Sequence, residues 1–81
     1  VGRLEAALRS NDDGSIEVLL ANRSGHREPF HVSGVVPEAT IELDGNTRYS
    51  VNLSLAPEST MVEVRQGGED GDVLAYRAIE R

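Results

Sequence analysis

The chain has 81 residues, no cysteine and a net charge of −6, from eight basic against fourteen acidic side chains. That length predicts one small domain, residues 1–81, burying roughly 60–65 % of its unfolded surface and leaving little room for a deep substrate pocket. The acidic balance argues against nucleic acid and against an anionic membrane surface, and the lack of cysteine excludes a disulfide framework or a thiolate metal site.

Apolar and polar residues alternate along most of the chain, the period of a half-buried strand. Leu4, Ala6 and Leu8 alternate with Arg3, Glu5 and Arg9. A strand is expected there, with a helix as the rival because Ala7 interrupts the alternation. Asn11-Asp12-Asp13-Gly14 then reads as a tight turn, since these residues tolerate positive φ. Ile16, Val18 and Leu20 form the second strand. A polar loop from Arg23 to Pro29 leads to Phe30 and Val32, with His31 and Ser33 on the opposite face. Pro37 breaks the run because it cannot donate to a ladder. Ile41 and Leu43 follow, then Asp44-Gly45-Asn46 as a second hairpin signal. Tyr49, Val51, Leu53 and Leu55 share one face of the cleanest strand, with Ser50, Asn52 and Ser54 on the other. After a turn over 56–59 come Val62 and Val64, a Gly-rich acidic loop from Gly67 to Asp72, and finally Leu74, Tyr76 and Ala78.

Seven short strands at roughly 8–12-residue spacing are the mark of an antiparallel β-sandwich or barrel. The expected fold is all-β, a seven-strand antiparallel Ig-like or fibronectin III-like sandwich. Its expected core is Leu4, Leu8, Ile16, Val18, Leu20, Phe30, Val32, Ile41, Leu43, Tyr49, Val51, Leu53, Val62, Val64, Leu74 and Tyr76. No run approaches the ~18 apolar residues of a membrane span. All eight cationic residues are arginine, which points to a GC-rich bacterial source. The chain begins at Val1 rather than at methionine, so it reads as a processed product or a piece of a longer protein.

Two resemblances follow from the order of these residues. Leu43-x-x-x-Thr47-x-Tyr49-x-Val51-x-Leu53 resembles the tyrosine-bearing strand of fibronectin type III domains, although the chain has no tryptophan for the early core position of that family. A longer pattern is Asn22-x-Ser24-Gly25, Phe30-x-Val32, Ile41-x-Leu43-x-Gly45 and an alternating strand, and it resembles bacterial Ig-like accessory domains. Its last part, Val62-x-Val64 to Gly67 with Asp70-Gly71 and Arg77, is similar to the C-terminal β-sandwich repeats of bacterial phosphocholine-preferring phospholipases C. The resemblance implies a non-catalytic accessory domain of a larger exported protein, secreted or at the cell surface. Such a domain packs against, or orients, a neighbouring domain or a protein partner.

Catalytic signals are lacking: there is no Gly-x-Ser-x-Gly elbow, and neither histidine has further ligands at metal spacing. His31 is expected to face solvent from mid-strand, and no catalytic residue, metal or cofactor is assigned. If successive loops alternate between two ends, one end collects Asp12, Asp13, Glu38 and Glu58. The other collects Asp44, Asn46, Glu69, Asp70 and Asp72, together with Arg23, His26 and Arg27. Asp70-Gly71-Asp72 resembles the opening of an EF-hand loop, but no bidentate glutamate follows. The second end is the alternative functional surface. There Arg23, His26, Arg27, Glu69, Asp70 and Asp72, in loops 23–28 and 67–72, would recognise a protein or glycan as an independent binding module. The plainer reading is an exposed set of internal ion pairs, which contribute little to stability. Phe30, Tyr49 and Tyr76 all fall in core phase, which removes the aromatic platforms usual for carbohydrate. Asn22-Arg23-Ser24 and Asn52-Leu53-Ser54 match the N-glycosylation pattern. Leu19, Val35, Val36, Val73 and Ile79 are left outside the inward set and are candidates for covering a neighbouring domain.

Overall fold

Eight strands are formed in chain order: β1 (Leu4–Ser10), β2 (Ile16–Asn22), β3 (Glu28–Ser33), β4 (Val35–Val36), β5 (Ala39–Leu43), β6 (Thr47–Leu55), β7 (Met61–Gln66) and β8 (Val73–Ala78). They come from a computed structural model that describes residues 3–80. Val1, Gly2 and Arg81, the ends of the domain read from the sequence, lie outside the described residues. Two four-stranded antiparallel sheets result, sheet 1 in the order β1-β2-β6-β4 and sheet 2 in the order β5-β3-β7-β8. The described residues contain no helix, so none is long and apolar enough to cross a membrane.

The all-β sandwich architecture is therefore present, with eight strands where seven were expected. The added strand is β4, which pairs Val35 with Leu55 and Val36 with Ser54. Two residues are too few to show a period. What turns them onto the sheet edge is Gly34, at φ +84°. A Cβ there would stand 2.1 Å from the Met61 carbonyl oxygen, so only glycine fits. Val35 thereby becomes a core residue, 3 % exposed, rather than a surface remainder.

The first element is a strand, paired with β2 in unbroken register from Leu4↔Asn22 to Ser10↔Ile16. The turn after it is made by its own side chains. The Asp13 carboxylate accepts from the Ser15 amide at 2.9 Å and from the Ser15 hydroxyl at 2.6 Å, while Gly14 takes φ +87°. The bonds from the Ser15 side chain and backbone hold the Asp13 carboxyl below its ordinary value of 3.8. A group whose folded pKa is depressed stabilises the fold above its unfolded pKa and loses that contribution as pH falls through the folded value. Asp13→Asn should therefore be less stable than the wild type at pH 7, and the gap should close in urea titrations run well below pH 3.8. A gap that persists in acid would show that Asp13 acts by shape and not by charge.

The core lies between the sheets. Leu4, Ile16, Val18 and Leu20 from sheet 1 meet Phe30, Val32, Leu43, Val62 and Val64 from sheet 2, with Val35 closing one end. Leu8, Ile41, Val51, Leu53 and Leu74 pack against this cluster while half-buried. Both tyrosines correct the expected core: Tyr49 is 44 % exposed and Tyr76 70 %. Tyr49 stands opposite Leu20 in register, but β4 covers only the far end of β6, leaving Tyr49 on an open edge. For Tyr76 the cause is a register shift between Val64 and Arg65. It inserts Leu74 as an extra residue in β8, so Leu74 and Ala75 both reach the core and Tyr76, paired with Glu63, turns outward. Asp44-Gly45-Asn46 does not close a hairpin either. Its turn, with Asn46 at φ 58°, carries the chain from β5 in sheet 2 to β6 in sheet 1.

Candidate functional site

The loop between β2 and β3 is organised by Asn22, the last residue of β2, only 1 % exposed. Its amide nitrogen donates to the carbonyls of His26 at 2.8 Å, Leu43 at 2.9 Å and Asp44 at 3.2 Å. Its oxygen accepts from the Ser24 amide at 2.9 Å and the Ser24 hydroxyl at 2.7 Å. One buried amide thus ties loop 23–27 to the turn that leaves β5. Asn22 is consequently closed to N-glycosylation in the folded chain. Asn52 is exposed and accepts from Asn11 at 3.0 Å.

Both arginines of this loop are already engaged. Arg23 pairs with Glu5 at 3.2 Å. Arg27 donates from Nε to Glu42 at 2.8 Å and from a terminal nitrogen to Asp44. The bonds to Glu42 and then Asp44 raise the Arg27 pKa further above its usual value. Its acidic partners thus come from the strand and turn beside it, β5 and Asp44, and not from loop 67–72. The His26 imidazole is exposed and makes no hydrogen bond among the described residues.

Loop 67–72 only partly joins that end. Asp72 and Gln66, together with Ser24, Glu28 and Arg3, line a cavity of about 550 Å³. Asp70 is exposed, with no partner among the described residues. The rest of the loop folds back over the outer face of sheet 2. Gly67 donates to the Pro29 carbonyl at 3.0 Å and Gln66 to that of Asp72 at 2.8 Å. Arg65 donates to the Gly71 carbonyl at 2.9 Å. Gly71 lies so near the chain that a Cβ would fall 1.6 Å from the Gln66 carbonyl oxygen.

This path separates Glu69 from its expected companions. Ligating atoms of His31, Glu38 and Glu69 all lie within 4.8 Å of one another. The two-end arrangement had put Glu38 and Glu69 at opposite ends. They meet because β3 runs through the middle of sheet 2 and both loops bend over it. For the same reason His31, expected at the surface, is 8 % exposed. It does face away from Phe30 and Val32, but its Nδ1 lies 3.1 Å from the Thr40 hydroxyl and its Nε2 2.9 Å from a Glu38 oxygen. Sequence reading missed this group because its members are far apart in the chain. The only local hint was a histidine set against the apolar phase of its strand.

A third surface lies on sheet 1. Ala7, Leu19 and Ala21 point away from the core, opposite in phase to the buried Val18 and Leu20. They line a shallow groove of about 700 Å³ that also takes in Leu20 and Tyr49 from the core-facing phase, with Glu5 and Arg48 at its rim. Val36 and Val73, also left outside the expected core, are 50 % and 43 % exposed. Ile79 packs on the core.

The chain matches no protein-family model, no curated protein and no solved structure.

Proposed function

We propose that this chain is a non-catalytic Ig-like accessory sandwich of a larger exported bacterial protein, which packs against a neighbouring domain through the groove on β1, β2 and β6 of sheet 1. The observation that carries the reading is the groove over β1, β2 and β6. It combines apolar Ala7, Leu19, Ala21 and Tyr49 with one acidic and one basic flank, Glu5 and Arg48. A protein surface that covers it would remove apolar area from water and find charge partners at its rim. The Ig-like assignment is supported by the topology. The first two strands and β6 lie in one sheet, and β3, β7 and β8 in the other, as strands A, B, E and C, F, G do in Ig sandwiches. The similarity of the segment from Val62 to Arg77 to phosphocholine-preferring phospholipases C makes such an enzyme the parent to test first.

Oxidative footprinting decides the main point. Leu19 and Tyr49 should label less in the polypeptide that carries the flanking sequence than in residues 1–81 alone. Leu19→Arg should restore labelling of Tyr49, while shifting the stability of the isolated segment by no more than about 0.5 kcal/mol. Equal labelling of the long and short forms would overturn the docking proposal.

The second reading, an independent module that binds protein or glycan, is favoured by the cavity where Ser24 and Glu28 meet Asp72. The exposure of Tyr49 and Tyr76 also returns two aromatic faces to the surface. Affinity in the isolated segment that is lost on Asp72→Ala would support this reading. Its alanine variants at Arg23 and Arg27 would break ion pairs internal to the chain.

A further inference from the structure

We propose that His31, Glu38 and Glu69 form a zinc site on the outer face of sheet 2, in which the metal pins loop 67–72 to β3. The argument starts from donor chemistry. One imidazole nitrogen and two carboxylates, with a water as fourth ligand, are a donor set for tetrahedral Zn²⁺. Calcium and magnesium instead take shells of six or more oxygens, in which imidazole has no place.

Geometry supports the same ion. Metal–ligand bonds of about 2.0–2.2 Å place neighbouring ligand atoms of a tetrahedron roughly 3.3–3.6 Å apart. The His31 Nε2 to Glu38 separation is 2.9 Å, and all the donor atoms fall within 4.8 Å of one another. Shifts of about 1.5 Å or less close the set, and both carboxylates are on exposed side chains. In binding, the ion takes the place of the proton between Nε2 and Glu38, and the ring proton then resides on Nδ1. The other ring nitrogen is already held by the Thr40 hydroxyl at 3.1 Å. That contact fixes the ring as second-layer partners of metal-bound histidines do.

Charge supplies an independent reason. Glu69 has no ion pair or hydrogen bond among the described residues, yet it is held beside a second carboxylate and a buried imidazole. Arg65, the nearest cationic residue in the β3–β7 register, is committed to the Gly71 carbonyl and to Glu63 at 3.2 Å. Two carboxylates brought this close repel each other. A divalent cation reverses the sign of that interaction, and Arg65 on Gly71 holds the loop in position to receive it.

The test is titration of metal-free protein with zinc chloride alone, followed by calorimetry and by thermal unfolding. One zinc per chain should bind. At zinc one hundred times its Kd the Tm should rise by roughly 10 °C or more, because the ion binds the folded state only. Glu69→Gln and Glu38→Gln, both at exposed positions, should each weaken binding by about tenfold or more, with the metal-free Tm unchanged or raised by the relief of carboxylate repulsion. His26→Gln should bind zinc as the wild type does. Zinc should also slow amide exchange in residues 67–72. Absence of one-to-one binding would overturn the site. So would undiminished affinity in both glutamine variants, or an equal thermal shift with calcium chloride.

Discussion

Asn22→Ala should lower the stability of the fold by roughly 3–5 kcal/mol, a quarter or more of the total of about 4–12 kcal/mol expected for a chain of this length. The side chain is 1 % exposed and joins five polar groups: three carbonyls as acceptors and the amide and hydroxyl of Ser24 as donors. Alanine removes both ends of that network at once. The Leu43 carbonyl and the Ser24 amide are then left in the interior, each at the full desolvation cost of an unmade bond. Asn22→Asp should be no rescue, since a carboxylate has no protons for the three carbonyls and would be a buried anion among them. Urea unfolding of the two variants measures the effect. A loss under about 1 kcal/mol for Asn22→Ala would mean that water replaces the amide and that the loop is looser than its bonds imply.

Phe30→Ala should cost about 3–5 kcal/mol, by lost transfer free energy and by the cavity left behind. Phe30 is 0 % exposed and is the largest side chain of a core otherwise made of aliphatic residues. Its neighbours Val32, Val62 and Val64 stand on central strands β3 and β7, which are held by ladders on both sides and have little freedom to close the gap. Phe30→Leu keeps most of the volume and should cost about 1.5 kcal/mol or less. Chemical denaturation of the pair separates the cavity from the loss of aromatic packing. Equal losses would place the cost in ring contacts, whereas the expected ranking places it in volume.

The central strands were legible because both determinants agree there. In β2, β3 and β7 the alternation of Ile16-Val18-Leu20, Phe30-Val32 and Val62-Val64 meets a full ladder on each side and a facing sheet. Burial then follows phase. At the edges the two determinants part. Tyr49 has the right phase but a strand on one side only, since β4 does not reach it, and Tyr76 has its phase inverted by one inserted residue in β8. Val35 has no phase at all and is buried because Gly34 turns it inward.

The candidate surfaces divide in the same way. The basic loop at Arg23 and Arg27 was readable as charge, and Asp44, gathered at the same end, does pair with Arg27. Glu5 and Glu42, set opposite the loop by strand register, were not expected, and of loop 67–72, Asp72 shares the cavity of that end.

By itself, then, the sequence determined an all-β chain, its turns and the inward residues of its central strands. These follow from neighbours one or two positions away, where alternation and turn chemistry act. Tertiary structure alone decided that His31 is buried between Glu38 and Glu69, that the tyrosines are exposed and that Asn22 anchors a loop. Those outcomes depend on which distant segments fold back over a given sheet face. That is set by sheet order and loop path, neither of which is encoded in any local period.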